Sequence, residues 1–488
     1  MKKSVRLISL LLCFVLCFSA CKNGGKTSED QSTTVPTGEN EVQNGTSAGQ
    51  ITLPYNSADG LNPYFAKSYE NLFICKYLFK PLFSIDGDYN ATPVIAEGIS
   101  VNGASAVVTI KSGVACRGSS PITAADVVYS FNMAKASYAY GGFLTNVVSA
   151  SVKSSNTVEF TLEFADIYTA GKLTFPVVKE GTADIQTAVP TGSGDYFYSE
   201  KRLVSVSDGE KTVELYEIGT NESAESVFKI GTTDFYFSDL SDCNYSAIAG
   251  KTENVLLNNM VYLGINSTNG ALNKYVRSAI AVKLDCEDIA LSSYQGHAAA
   301  VKLPVNPEST VAGQVKAVET AGDKALADRI IDNCGYTRYS GSAKTNGAYS
   351  LSFSLIVNKD NRYRVAAAYG IADSLRESGI NVRVDLLSFE DYSQRIAAGN
   401  YELYLGEIKL DGSMDISAFF KDGTAFSAGI DKTGRSATDY FRYRAGEITP
   451  AEYFAGFAEE FPFIPICFRQ GFAVRSADFA AEQSGYIL

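Results

Sequence analysis

Three carboxylates, Glu407, Asp411 and Asp415, fall within a stretch of nine residues. They follow residues 401–405, where apolar side chains alternate as they do in a half-buried strand. Ligands of open α/β sheets bind beyond the carboxyl ends of the strands. Carboxylates in that position suit the cationic group of a ligand. The alternative interpretation is a solvated acidic loop.

The chain has one histidine, His297, and its neighbours indicate neither catalytic nor metal chemistry. One histidine does not form a multi-histidine zinc site, and the surrounding sequence does not supply a serine–histidine–aspartate triad. We therefore expect a protein that is not an enzyme, with no catalytic residue, no metal site and no cofactor. We interpret His297 as structural or solvent-exposed.

The cysteines that follow Cys21 contain no CxxC pair, so a redox or zinc-ribbon motif is not indicated. A folded body of this size does not need disulfides, although export would permit them. We expect most of these cysteines to be buried free thiols. They are Cys75, Cys116, Cys243, Cys286, Cys334 and Cys467.

The acidic segment lies at the end of a region whose hydrophobic periodicity predicts alternating strands and helices. The predicted order is a strand at 351–357, a helix at 362–378, a strand at 380–386, a helix at about 389–398 and a strand at 401–405. Gly379 is well suited to end the first of these helices. Short connections between strand and helix imply parallel pairing with right-handed crossovers, so this region is predicted to be α/β.

A second set of elements is predicted closer to the N-terminus. Thr123 and Asp126 predict a helix start, because threonine caps free backbone N–H groups and an acidic residue stabilises the first turn. This helix is expected to run to about Ala136. Strands are predicted at residues 51–56, 106–111, 157–164 and 212–217.

Length and charge narrow the class of protein. A chain of 488 residues is long enough for more than one folded lobe. Its formal net charge of −12, without basic runs, argues against a nucleic-acid-binding protein and against attachment to anionic lipid by charge.

The N-terminus reads as an export signal. Residues 1–20 combine Lys2, Lys3 and Arg6 with an apolar stretch that is too short for a good membrane span. The signal ends at Cys21 in a sequence that resembles a bacterial lipobox, which implies a diacylglycerol anchor on that cysteine. Residues 21–50 have almost no apolar side chains and are predicted to form a disordered tether. The alternative is an ordinary cleaved signal with a chance cysteine.

Several short motifs occur in a fixed order over some 70 residues. They are Leu61-Asn62-Pro63, Leu82-Phe83 with Asp86-Gly87, Pro93-Val94-Ile95-Ala96-Glu97-Gly98, Thr109-Ile110-Lys111 with Gly113-Val114, and Pro121-Ile122-Thr123-Ala124-Ala125-Asp126-Val127-Val128-Tyr129-Ser130-Phe131. Together they resemble the signature region of family 5 of the extracellular solute-binding proteins, the lipoproteins that serve peptide and nickel ABC importers.

The resemblance implies an α/β, two-lobed periplasmic-binding-protein-like fold, with an extra subdomain in the first lobe and two crossover segments between the lobes. On this basis lobe 1 covers residues 51–265, with the subdomain inserted at about 67–190. Lobe 2 covers 266–463, and residues 464–488 return to lobe 1.

The resemblance also implies positions for the site. In peptide-binding members an aspartate in the acidic loop pairs with the α-amino group of the peptide, and Asp411 matches it best, with Asp415 second and Glu407 nearby. The opposite wall is expected to include Tyr55, Asn56, Tyr196 and Asn266.

The implied function is capture of a small solute between closing lobes and its delivery to the transmembrane subunits of an ABC permease. Oligopeptide is the first choice of ligand. We expect a monomer held on the extracytoplasmic face of the membrane by the lipid on Cys21, with no nucleic-acid partner. The alternatives are a nickel chelate, which His297 would contact, a sugar, haem, a sensor lipoprotein and, last, an extracytoplasmic hydrolase.

Overall fold

The computed structural model of the chain describes residues 50–477 and residue 479. The predicted signal at 1–20, the lipidation of Cys21 and nearly all of the predicted tether lie outside the described residues. Within the described part, no helix has both the length and the apolar character that a membrane crossing requires.

The first part of the described chain folds mainly into small sheets. In chain order its elements are β1 (Ile51–Tyr55), α1 (Tyr69–Leu78), β2 (Phe83–Ile85), β3 (Ala91–Pro93), β4 (Ala96–Asn102), β5 (Ser105–Ile110), α2 (Ala124–Ala136), β6 (Val147–Ser154), β7 (Thr157–Leu162), β8 (Tyr196–Ser199), β9 (Arg202–Ser205), β10 (Thr212–Glu217), α3 (Ala224–Lys229) and β11 (Phe235–Ser238).

The second part alternates strands and helices. Its elements are β12 (Lys251–Ile265), α4 (Lys274–Lys283), α5 (Cys286–Ser293), β13 (Ala298–Ala300), α6 (Lys324–Asn333), β14 (Arg338–Ser340), β15 (Ala343–Thr345), β16 (Ser352–Asn358), α7 (Arg362–Arg376), β17 (Asn381–Leu387), α8 (Phe389–Ala397), β18 (Leu403–Lys409), α9 (Arg435–Arg444), α10 (Pro450–Glu460) and β19 (Phe463–Arg475).

Two four-stranded sheets organise the first lobe. One has the order β1-β10-β9-β8, with β1 parallel to β10. The other, β4-β5-β7-β6, is antiparallel and forms the inserted subdomain together with α2. The predicted start of α2 is confirmed, since the backbone N–H of Thr123 donates to the Asp126 carboxylate at 2.8 Å. Alternating apolar side chains of these strands share one buried core.

The second lobe is built on a seven-stranded sheet that also includes β11 of the first lobe. Its order is β11-β19-β12-β18-β16-β17, and β13 also pairs with β19. Strand β16 is parallel to both β17 and β18, which confirms the strand–helix–strand–helix–strand prediction for this region. Gly379 follows α7 with φ +76°, a left-handed backbone that glycine adopts without a steric penalty.

Two long antiparallel strands connect the lobes. The first half of β12 pairs with the end of β19, close to β11 of the first lobe, and its second half also pairs with β18 of the second lobe. The pairing of β12 with β19 is interrupted between Leu256 and Met260. The lobes have separate hydrophobic cores on either side of this connection. A two-lobed α/β fold with two crossover strands is therefore confirmed, while the exact domain limits stay a prediction.

Candidate functional site

A cavity of about 590 Å³ lies between the lobes. Residues 69–85, which include α1, form one wall, and residues 409–412 at the end of β18 belong to the opposite side. The interrupted part of β12, residues 257–259, also lines it. The size fits a small-molecule site. Aromatic side chains contribute much of the surface, namely Tyr69, Phe73, Phe79, Phe83, Tyr89, Tyr140, Phe143, Phe235, Tyr236 and Phe237.

Asp411 lines this cavity, and its carboxylate already contacts a cation of the protein. The Lys172 Nζ atom lies 2.5 Å from Asp411 Oδ2 and 2.7 Å from Asp415 Oδ2. All three side chains are buried. Lys172 belongs to the 3-10 turn Thr169–Lys172 of the first lobe, whereas both aspartates belong to the second lobe. The ion pairs therefore join the two lobes.

Burial and charge act in opposite directions on these groups. Burial alone would lower the pKa of Lys172, but the carboxylates of Asp411 and Asp415 outweigh it and raise that pKa above its ordinary value. Burial alone would raise the pKa of Asp415, but Lys172 and Arg444 outweigh it and hold that pKa well below the ordinary range. Lys172 and Asp415 are thus stabilised in their charged forms.

A second buried ion pair adjoins the first. Arg444 Nη2 lies 2.7 Å from Asp166 Oδ2, again between the lobes, and Arg444 Nη1 donates to the Ser413 carbonyl at 2.7 Å. Tyr440 donates its hydroxyl to Asp415 Oδ1 at 2.7 Å. We refer to Lys172, Asp411, Asp415, Asp166 and Arg444 as the interlobe ion network. Its three carboxylates and two cations leave one formal negative charge.

The backbones of the two lobes approach each other closely beside this network. A Cβ atom on Gly171 would lie 2.9 Å from the Ser413 nitrogen. A Cβ atom on Gly412 would lie 2.6 Å from the Ile85 side chain and 2.9 Å from the Gly171 oxygen. Such distances are too short for any side chain, so this contact requires glycine on both lobes.

Glu407 lies inside β18 and not in the loop after it, because the strand continues to Lys409. Its carboxylate accepts from Arg469 Nε and from Asn259 Nδ2, each at 2.8 Å. Burial would raise the pKa of Glu407, but the charge of Arg469, with that of Arg364, outweighs it and keeps the pKa below its usual value. Glu407 does not line the cavity.

The structure does not bring the residues expected on the opposite wall into the cavity surface. Tyr55 packs on Tyr198 with the ring centroids 6.4 Å apart. The Asn56 backbone exchanges hydrogen bonds with the Asn71 side chain. Their role in ligand binding stays a prediction.

The other two expected wall residues also serve local structure. Tyr196 packs edge-on against Tyr77, with the ring centroids 5.6 Å apart. Asn266 donates to the carbonyls of Gly399 and Tyr401, at 3.1 and 2.9 Å, and so ties the end of β12 to the segment before β18. A contact of Tyr196 or Asn266 with the ligand stays a prediction. The same holds for Asp415 and Glu407.

His297 lies away from the cavity, half-buried against the rings of Tyr245 and Phe472. Burial lowers its pKa. Among the described residues, no cluster of histidine, cysteine and carboxylate side chains has the composition of a metal site. The six described cysteines are free thiols, and all except Cys334 are buried.

The fold places in the cavity two lysines that are not among the predicted site residues. Lys76, on α1 of the first lobe, and Lys409, at the end of β18 in the second, both line it. Burial and the charge of Lys409 lower the pKa of Lys76 to about 7. A signal was present at Lys76, because a lysine inside the apolar segment 71–83 is costly to bury and such residues cluster at functional sites.

A two-lobed α/β body with a cavity between its lobes is the architecture of a protein that encloses a small ligand. The family model of bacterial extracellular solute-binding proteins, family 5, matches residues 90–425. The chain belongs to this family.

Solved structures share this fold at low sequence identity. The oligopeptide-binding protein AppA of Bacillus subtilis, in complex with a nonapeptide, is 18% identical with a TM-score of 0.57, over 90% of this chain and 97% of that one. A nickel ABC transporter protein from Bacillus halodurans is 16% identical with a TM-score of 0.69, over 90% and 98%. NikA of Brucella suis, in complex with Fe(III)-EDTA, is 17% identical with a TM-score of 0.64, over 88% and 95%. No curated protein matches the chain at a significant level.

Proposed function

We propose that this protein is the receptor of an ABC importer, which captures a small solute between its lobes and delivers it to the transmembrane subunits of the permease. An oligopeptide is the first candidate for the solute. Binding requires no covalent chemistry, because contacts that form only when the lobes are closed are enough to shift the equilibrium between open and closed forms.

The observation that carries this proposal is the cavity between the lobes. It combines aromatic surface, on which varied side chains can pack, with charged groups contributed by both lobes. A ligand that touches both walls stabilises the closed form, and the permease can then recognise the surface that closure creates. The interrupted pairing of β12 provides a place for bending beside the ligand.

Asp411 is part of the proposal as the partner of the ligand's α-amino group. It is the member of the interlobe ion network that lines the cavity, and the network has an excess of one negative charge. An amine would share the carboxylate with Lys172. Isothermal titration of Asp411→Asn with a peptide that binds wild type is expected to show weaker binding than wild type shows. Unchanged affinity would reject the ionic role.

A thermal-shift screen with peptides, metal chelates, sugars and haem tests the choice of solute. At a concentration of 100 times Kd a ligand stabilises the protein by about 2.7 kcal/mol, which raises Tm by several degrees. We expect peptides to produce this shift. A shift with a chelate, a sugar or haem, and none with any peptide, would replace the oligopeptide assignment.

The proposal includes a lipid anchor on Cys21 that holds the protein on the extracytoplasmic face of the membrane. Detergent phase partitioning of the protein expressed in bacteria tests it. Wild type is expected in the detergent phase and Cys21→Ala in the aqueous phase. Recovery of wild type in the aqueous phase would contradict lipidation.

A further inference from the structure

The lobes touch each other beside the cavity, at the turn between β2 and β3. Thr310 of the second lobe donates its backbone N–H and its hydroxyl to the Asp88 carbonyl, at 2.9 and 3.1 Å. At the end of β2, a Cβ atom on Gly412 would lie 2.6 Å from the Ile85 side chain. Ile85 and Gly412 both line the cavity. The β2–β3 hairpin of the first lobe therefore closes this side of the cavity against the second lobe.

Two further parts of the structure border the cavity. Residues 257–259 of the crossover strand β12 line it, and Tyr89, which also lines it, donates its hydroxyl to the Leu256 carbonyl at 3.5 Å. Asp411 lines the cavity as well, and Lys172 pairs with this aspartate at 2.5 Å. The interlobe ion network therefore lies directly behind the cavity wall.

The contact between the lobes continues beyond the ion network. The backbone N–H of Ile167 donates to the Arg444 carbonyl at 2.9 Å. Phe164 packs edge-on against Phe441, with the ring centroids 5.0 Å apart. A ligand that extended past Asp411 in this direction would have to separate these groups and break the buried ion pairs, at a large cost in free energy.

The rings that line the cavity are held in place by one another. Phe73 stacks on Phe235 with the ring centroids 4.5 Å apart, and Tyr69 packs edge-on against Phe237 at 5.3 Å. A ligand side chain therefore meets walls that are already packed, and packed walls resist overfilling. The cavity volume of about 590 Å³ corresponds to a drug-sized molecule, which is the size of a short peptide.

We propose that the cavity accepts peptides of about two to four residues and encloses them completely, and that it excludes longer peptides because they would have to separate the lobes. The inference rests on the proposed function, since it sets the length of the solute that the lobes enclose. Selection by length follows from the contacts around the cavity and needs no particular ligand side chain.

The test uses the purified full-length protein and a series of peptides from two to about nine residues long. All begin with alanine and phenylalanine and are extended with alanine and serine, so that only the length changes. Isothermal titration measures their affinities. We expect the tightest binding at three or four residues and binding at least about tenfold weaker from six residues upward. The proposal is overturned if the longest peptides bind as tightly as the tripeptide.

Variants that fill the cavity locate the effect. Ala139 and Thr174 line the cavity and are half-buried, so Ala139→Leu and Thr174→Leu each reduce its volume. Each is expected to weaken binding of the tetrapeptide about tenfold or more and to change binding of the dipeptide less. Ala136→Leu is the matched control, because Ala136 is exposed at the end of α2 and is not among the residues that line the cavity.

Either filling variant is sufficient for this comparison if the other does not fold, and circular dichroism shows which of them is folded. A folded filling variant that keeps the length dependence of wild type would overturn the proposal, because the cavity would then not be the part of the protein that measures length.

The same variants separate this inference from the choice of a peptide as ligand. If long peptides bind as well as short ones, the oligopeptide assignment stands and the length limit falls. If no peptide raises Tm, but a compact chelate or sugar raises Tm of wild type and not of the filling variants, the size limit stands and the oligopeptide assignment falls. If none of these solutes binds, both fall.

Discussion

Lys76 shows how one residue can lower the stability of a fold. Its pKa of about 7, against an ordinary value of 10.5, means that the unfolded chain binds more protons than the folded one between these pH values. The free energy of unfolding therefore rises with pH across this window. An ionisable side chain whose burial lowers the stability of the fold is typical of a functional site, where the free energy of ligand binding compensates for the lost stability.

Lys76→Met is accordingly expected to stabilise the ligand-free protein at pH 7 by about 2 kcal/mol, since one pKa unit corresponds to about 1.4 kcal/mol and solvent screens a half-buried charge. The gain should shrink as the pH approaches 10. Denaturant unfolding at several pH values measures the gain. Lys80→Met is the control that changes little, because the Lys80 ammonium pairs with Asp195 at 2.7 Å. A Lys76 ε-carbon that titrates near pH 10 by NMR would contradict the argument.

Lys172 has the opposite role, because it neutralises two buried carboxylates. Lys172→Met leaves Asp411 and Asp415 without their shared cation, and loss of one partner of a buried ion pair costs about 3–5 kcal/mol. Denaturant unfolding measures this cost. The exposed pair of Lys201 and Glu217 provides the comparison, since Lys201→Met is expected to change the stability little.

A further variant separates charge from packing at Lys172. The triple variant combines Lys172→Met with Asp411→Asn and Asp415→Asn, so that no buried carboxylate is left without its cation. It should regain a large part of the stability that Lys172→Met alone loses. If the triple variant is as unstable as Lys172→Met alone, the side chain acts by packing and the electrostatic account is wrong.

At the scale of elements, Gly171 and Gly412 allow the turn that carries Lys172 to reach the acidic loop. A methyl group on Gly171 would lie 2.9 Å from the Ser413 nitrogen, so Gly171→Ala is expected to separate the two segments and weaken the ion pairs. Hydrogen exchange should become faster in residues 169–172 and 411–415. Gly209→Ala is the control, since its added methyl group has open space. Equal exchange in both variants would contradict the steric argument.

The alternating region of the second lobe could be predicted from sequence because its signals are local. Hydrophobic periodicity and a terminal glycine placed β16, α7, β17 and α8 within a few residues of their observed limits. The end of β18 was predicted too early. Gly406 looked like a break, but the strand continues because Glu407 is held opposite Val261 in the sheet and bonded to Arg469.

The site could be predicted only in part because its contacts are distant in sequence. Asp411 and Lys172 are 239 residues apart, and Asp166 and Arg444 are 278 apart. Periodicity and motifs indicate that an acidic loop follows a strand, but they do not indicate which cation faces it. The same limit applies to Lys409, whose position opposite Lys76 depends on how the lobes meet.

For the whole molecule, contact between the lobes depends on charges at their boundary. The interlobe ion network joins Lys172 and Asp166 of the first lobe to Asp411, Asp415 and Arg444 of the second. Each lobe has its own core, so the lobes can move as bodies while β12 and β19 keep them connected.

Acid is expected to open the ligand-free protein. The pKa of Asp415 is depressed in the structure, so its contribution to lobe contact is fully present above the ordinary carboxyl value of 3.8 and declines progressively as the pH falls from that value toward the depressed pKa. Small-angle scattering should show a radius of gyration that grows as the pH is lowered from about 4 to about 2, before the secondary structure seen by circular dichroism is lost. The triple variant at Lys172, Asp411 and Asp415 lacks the Asp415 carboxylate and its cation, so its radius should change less over the same range. A wild-type radius that stays constant while the protein remains folded would show that these ion pairs do not hold the lobes together.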